Sequence, residues 1–398
     1  MDAFFAELGR TVRKQWQKEN FSLPAFPEIA RTALEKKSPA KHVDLAALVR
    51  EFLLDDAQPF QSASGFGQPE LIVYDDPRFY IQILFWLEGT TQIHQHEFSG
   101  AFHVLQGSSL HSEFEFVRVK PVTAHFRLGD LKLKHTQLLV TESTVPIISG
   151  GACIHSLFHL DTPSVSVVVR THTDPGTGPQ FTYLPPHIAV DPFFTDALTT
   201  RRTQLLDVLE RTGDRSYAKV VRQMVAELDF ERGFFILQNC LGHLRATGAW
   251  DGVWAAFQKK HGALANPVLP TLEEIIRRDT LVGFRGAVTD PEHRFFLALL
   301  LNVPTRAGLL KLVAERYPGD AVQTVLRWAA ELGAMSDFGN AILDAEFPAE
   351  LDAAGDEPMD VLLAALEFFL EGGNGKMGAE LKALRGVFAR SSLRALVS

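Results

Sequence analysis

Apolar residues recur at threes and fours in the opening stretch of the chain. Phe4, Phe5, Leu8 and Val12, then Val43, Leu45, Leu48, Val49 and Phe52, predict amphipathic helices over residues 1 to about 60. From Glu70 the texture changes to short β-rich runs at Leu71–Tyr74, Phe79–Trp86, Ala101–Leu105, His111–Val119, His125–Leu128, Gln137–Glu142 and Ser164–His172. Gly107, Pro121, Gly129, Gly150 and Pro163 punctuate these runs, which is the rhythm of an antiparallel barrel. A turn-rich exit at Asp174–Pro179, then Pro185-Pro186 and Asp191-Pro192, closes the β region.

After Phe193 the helical period returns and holds to the end, as in Val220, Val221, Met224, Val225 and Leu228, and again in Phe234, Phe235, Leu237, Leu241 and Leu244. Thr271 with Glu274 reads as a capping box at a helix start, and Asp290-Pro291 as an N-cap followed by proline in the first turn. The segment Glu371–Lys376 follows a helix rather than a strand, so its glycines predict a loop and not a phosphate cradle. The reading is therefore α+β in three parts. They are an N-terminal helical segment (1–69), a β-barrel (70–192) and a separate all-helical C-terminal domain (193–398).

Composition narrows the function classes. The chain of 398 residues is 46% apolar, ample for a buried core, and its net charge of −9 shows no basic footprint for nucleic acid or an anionic membrane. Cys153 and Cys240 give no disulfide framework. No apolar run approaches the roughly 20 residues that span a bilayer, and Met1–Asn20 carries charges throughout, so a cytoplasmic location is expected. Phenylalanine is abundant, 30 against 5 Tyr and 5 Trp, and Phe98, Phe102, Phe114, Phe116, Phe126 and Phe158 stand near histidines, as a barrel core or as a dry wall around a site.

The candidate chemistry lies in those histidines. Ten of the 14 fall between His94 and His187. His94 and His96 are one residue apart on an extended segment, so both imidazoles point the same way, and His155 follows another glycine-marked turn at Gly150-Gly151. Three imidazoles on one transition metal leave open positions, as a catalytic site requires, and three neutral ligands leave a divalent ion its full charge to attract a thiolate or carboxylate. His159 shares the parity of His155 and is a spare ligand candidate, as is Cys153, whereas His103 is expected to face away.

The segment from Gly89 through His94, His96 and Gly100 to Gly107 resembles the first motif of the cupin superfamily, with the leading glycine one residue out of step. Pro146, Gly150 or Gly151, and His155 resemble the second, with His159 where the family has asparagine. Gly100 occupies the position of the usual glutamate ligand, so the pattern is most similar to three-histidine cupins of the cysteine dioxygenase type. The resemblance covers about residues 70–190. It implies a double-stranded β-helix barrel in which His94, His96 and His155 hold Fe(II) while a small thiol or anionic substrate and dioxygen meet there. His172 stands near where thiol dioxygenases place a histidine that supports a tyrosine, which makes Tyr183 the candidate tyrosine although its spacing differs. Arg170, with Arg78 and Arg118, is a candidate to hold a substrate carboxylate. Two alternatives keep the metal site. In one, Zn, Ni or Mn serves an isomerase, hydrolase or lyase with Glu97 or Glu113 as base. In the other, a non-catalytic sensor presents its helical half to a protein partner.

Overall fold

The computed structural model describes residues 3–57, 59–61, 66–87, 91–335, 358–373 and 377–398. The motif glycine Gly89 and part of the Glu371–Lys376 loop lie outside the described residues.

The predicted N-terminal helices form as α1 (Ala3–Lys18), α2 (Phe26–Lys36), α3 (Pro39–His42) and α4 (Leu45–Leu54). Among the described residues eleven strands follow: β1 (Glu70–Asp76), β2 (Phe79–Trp86), β3 (His94–His96), β4 (Gly100–Gln106), β5 (Ser108–Pro121), β6 (Phe126–Val140), β7 (Thr144–Ile147), β8 (Gly150–His159), β9 (Ser164–Thr171), β10 (Thr182–Leu184) and β11 (Ile188–Val190). They sort into a five-stranded sheet, β1-β2-β9-β4-β7, and a closed six-stranded barrel, β10-β11-β6-β5-β8-β3, with antiparallel pairing throughout. Gly107 makes the tight turn between β4 and β5 at φ +85°, a conformation open to glycine because it has no Cβ.

Two details depart from the sequence reading. Gly129 does not break the β region, because β6 runs through it as one long strand paired with β5. A side chain there would meet the Phe116 ring at 2.6 Å, so this glycine is required by cross-strand packing, not by a turn. Thr271 does not cap a helix either. It lies inside α9 and returns its hydroxyl to the carbonyl of Pro267 at 2.8 Å.

The helical half comprises α5 (Ala197–Arg211), α6 (Tyr217–Glu227), α7 (Phe230–Ala246), α8 (Trp250–His261), α9 (Val268–Ala287), α10 (Pro291–Asn302), α11 (Arg306–Arg316), α12 (Ala321–Gly333), α13 (Pro358–Leu370) and α14 (Ala379–Arg390). The expected cap at Asp290 is present, its carboxylate accepting from the amides of Glu292 and His293, a contact typically worth about 1 kcal/mol. Among the described residues no helix is long and apolar enough to cross a membrane.

The five-stranded sheet is covered on both faces, which is why β2 and β9 read as nearly unbroken buried runs. The outer face of the five-stranded sheet, with Ile81, Ile83, Val165, Val167 and Val169, packs on α1 and α2 through Phe5, Leu8 and Phe26. The barrel's outer face is shared with the helical half. Leu110 and Phe158 join a cluster with Phe295, Phe296 and Trp328, while Phe126 and Ile188 join one with Phe234 and Leu237. Between the sheets lie Leu84, Trp86, Phe98, Phe102, Ile147, Leu157 and Val168, and the candidate site opens into this layer.

Candidate metal centre

Strand β3 consists of His94-Gln95-His96, and alternation sends its two imidazoles to one face and Gln95 to the other. Antiparallel pairing sets His94 directly opposite His155 on β8, so two separated stretches of chain deliver three rings to one place. The ring centroids lie 4.6, 4.9 and 5.0 Å apart, all three residues are buried, and one nitrogen from each lies within 4.8 Å of the others. Among the described residues this is the group of His, Cys, Asp and Glu that could hold a metal ion.

The hydrogen bonds leave Nε2 of His94 free. Nδ1–H of His94 donates to the carbonyl of Gln92 at 2.7 Å, which fixes the tautomer and leaves Nε2 as a lone pair. That Nε2 is buried with no hydrogen-bond partner. Nε2 of His96 and Nε2 of His155 face each other at 2.8 Å, while Nδ1 of His155 meets Nε2 of His111 at 2.9 Å. Burial is the main cause that lowers all three protonation equilibria, those of His96 and His155 well below the usual histidine value. Neutral rings, a buried orphan nitrogen and second nitrogens held from behind are the donor set that a transition metal takes.

His111 joins the site although no local motif in the sequence marks it. It lies on β5 beside β8, so its contact with His155 runs across strands and no spacing within one segment could reveal it. Its Nδ1 lies 3.4 Å from Nε2 of Gln137.

Gly100 has a steric explanation. A Cβ there would stand 2.1 Å from the carbonyl oxygen of Val169 on β9, so no glutamate fits without moving the strand. The small cavity beside the trio, about 30 Å³, is lined by Phe66, Gln82, Trp86, Phe98, Phe102 and Ser166 among others, and no carboxylate belongs to its described lining. Its enclosed part takes a water-sized group or little more, and the cavity is open rather than sealed.

The other candidates are placed as follows. Arg170 lies over the Phe98 ring at 3.5 Å, and Phe98 in turn packs on His96 at 4.4 Å, so the guanidinium is one ring removed from the trio. Its donors reach the carbonyls of Thr171 and His172. His172 lies against Tyr80 with the rings tilted at a centroid distance of 5.1 Å, and it bonds the carbonyl of Asp76. The structure does not bring Tyr183 to the trio: its hydroxyl donates to Gln95 at 2.6 Å, on the opposite face of β3. Arg78 covers Phe21, and Arg118 pairs with Asp130 on the surface. Glu97 lies against Gly178, and Glu113 lies near Lys134 and His135, both outside the cavity lining.

His159 and Cys153 stand outside the group of three. His159 stacks on Trp86 at 4.6 Å and bonds Ser109, and burial pushes it down to about 3. Burial pushes the Cys153 thiol up to about 11, so it remains protonated near neutral pH. His103 faces the N-terminal helices, bonded to Ser38 and Thr144.

Fold and site thus define a mixed α/β protein with a closed six-stranded barrel and a buried three-histidine group that could hold a metal ion. No family model and no curated protein matches the sequence. Among solved structures, the chain is similar to the capsular polysaccharide assembling protein CapF from Staphylococcus aureus. The match has 15% identity over 38% of this chain and 43% of CapF, so it spans less than half of that protein, with a TM-score of 0.23. It is also similar to the DMSP lyase DddQ from Ruegeria pomeroyi DSS-3, at 15% identity over 46% of this chain and 98% of DddQ, with a TM-score of 0.25. Scores this low carry no argument about fold or activity.

Proposed function

We propose that this protein is a metal-dependent enzyme of the cupin type, a non-haem iron(II) oxygenase acting on a small thiol or other small anionic substrate, with His94, His96 and His155 as the ligands. The observation that carries the reading is the convergence of three buried neutral imidazoles in a cavity whose described lining has no carboxylate. Iron(II), when bound, would supply the redox chemistry that oxygenation of a thiol needs.

The chain's own residues prepare that chemistry. Gln92 and His111 hold the rear nitrogens of His94 and His155, so both rings keep their orientation without cost at the moment of reaction. Phe98, Phe102, Trp86 and Leu157 exclude bulk water, which strengthens attraction between the site's positive charge and an anion. Arg170, stacked behind Phe98, adds a positive charge on the same side. A non-redox reaction would call for a positioned base, and Glu97 and Glu113 lie outside the cavity lining.

Elemental analysis of protein purified without chelators should find about one equivalent of iron. Anaerobic loading with cysteine or another small thiol, followed by admission of oxygen, should give oxygen uptake that His94→Ala abolishes. A full complement of zinc with no uptake for any small thiol would sink the oxygenase.

A second reading, a metal or ligand sensor acting through the helical half, is favoured by one set of contacts. Arg285 on α9 donates to the carbonyl of His159, and Ser156 meets Asn302 on α10, so β8 is fastened directly to the helices. Under that reading, metal binding changes amide exchange in α9 and α10 while no substrate is consumed.

A further inference from the structure

Against β5 and β6, between the barrel and the helical half, lies a second cavity of about 220 Å³. Its barrel wall is apolar, built from Phe114, Leu131, Leu133 and Pro186. Its helical wall is cationic: Arg277 and Arg278 from α9, and Arg394 from the C-terminal turn Arg394–Val397. These guanidinium groups surround one carboxylate. Arg277 grips Glu274 through two bonds of 2.8 Å, Arg394 reaches it at 2.7 Å, and Arg278 stands at 4.0 Å. Three positive charges therefore meet one negative charge, with Asp279 adding attraction for Arg278 from outside the cavity lining.

Part of this cluster is structural. Nη1 of Arg277 and Nη1 of Arg278 donate to the carbonyls of Leu300 and Leu301, closing the C-terminal end of α10. That role uses every nitrogen of Arg277 but only one of Arg278, and the bond to Glu274 uses only one of Arg394. The other donors of Arg278 and Arg394 have no partner among the described residues. Burial pulls Arg278 down to about 10, which leaves it cationic at neutral pH. Arg278 is half-buried while Arg394 keeps one side in solvent at the cavity mouth, and the guanidinium fork matches the paired oxygens of a carboxylate or phosphate.

We infer that this cavity is a binding site for a small amphiphilic anion, whose carboxylate or phosphate head lies against Arg278 and Arg394 and whose apolar body lies against Phe114, Leu131 and Leu133. The volume is below the roughly 300 Å³ at which drug-sized pockets begin, so the body is short. The site shares no lining residue with the histidine cavity and does not depend on which metal, if any, is bound there.

Calorimetric titration of the full chain with octanoate, octyl phosphate, inorganic phosphate and octanol separates the contributions. At least one of the two eight-carbon anions should bind saturably at one per chain, and comparing them identifies the preferred head. Inorganic phosphate and octanol should each bind at least about tenfold more weakly, because each lacks one half of the match. Arg394→Ala should weaken the preferred anion by about tenfold or more and flatten its salt dependence, and Arg394→Lys should recover part of the loss. Leu133→Trp fills the apolar side without touching an arginine and should also block binding, with an unchanged far-UV spectrum as the check on folding. Absence of saturable binding by both anions, or unaltered affinity in Arg394→Ala and Leu133→Trp, would overturn the site. Inorganic phosphate binding as tightly as octyl phosphate would overturn the apolar half of the match.

Discussion

Two cavities bordered by the barrel solve opposite electrostatic problems. On the inner face stand His94, His96, His111 and His155, all buried and held neutral, with Nε2 of His94 left without a partner. On the outer face, Ile93, which precedes His94, and Phe114, three residues past His111, border a cavity whose opposite wall carries three arginines and one glutamate. The inner face lacks a positive charge for its lone pairs, and the outer one lacks a negative charge for its guanidinium groups. Ile93 and His94, neighbours in sequence, line different cavities because successive side chains point in opposite directions.

The sharpest way to break this comparison is to remove a ligand. His155→Ala should lower metal content from about one equivalent to below a tenth, measured by elemental analysis, while binding of octyl phosphate is unchanged. Parallel loss of both would show that the faces are not independent. Next in size is Gly100→Glu, which puts a carboxylate side chain into a space already taken by the carbonyl of Val169. Overpacking and a buried charge together should destabilise the fold by about 3 kcal/mol or more in urea denaturation. A stable variant with tighter metal binding would show that the strand can give way.

His111→Phe keeps the ring volume but removes the support behind His155, and should weaken metal affinity by about 10- to 100-fold in competition with a chelator. An unchanged affinity would make His111 a packing residue only.

Acid provides a fourth test. His103 and His159 are pushed by burial to about 4 and about 3, below the unfolded value near 6.5. Their neutral forms thus contribute stability that is fully present above pH 6.5 and is lost as pH falls toward those lower values, by up to about 1.4 kcal/mol per pH unit for each group. His159→Phe retains a ring on Trp86 and should shift the acid-unfolding midpoint downward. A midpoint that stays put would mean that His159 is not the titrating group. The smallest effect belongs to Tyr183→Phe, on the outer side of β3, which should leave metal content within experimental error of the unsubstituted protein.

Much of this was legible in the chain. The period of two at His94 and His96 determined that both rings share a face, and the return of threes and fours after Phe193 determined a helical second half. Asp290 before Pro291 marked a helix start because a carboxylate there satisfies free amides. Other features had no local signature. Pairing of His94 with His155, support of His155 by His111, and the closed space at Gly100 each depend on which strands become neighbours. The same holds for Arg394 joining Arg277 and Arg278 across more than a hundred residues to surround Glu274. Sequence periodicity specifies which way a side chain points, because that follows from backbone geometry within one element. What the side chain meets there is decided only when distant elements pack and water leaves.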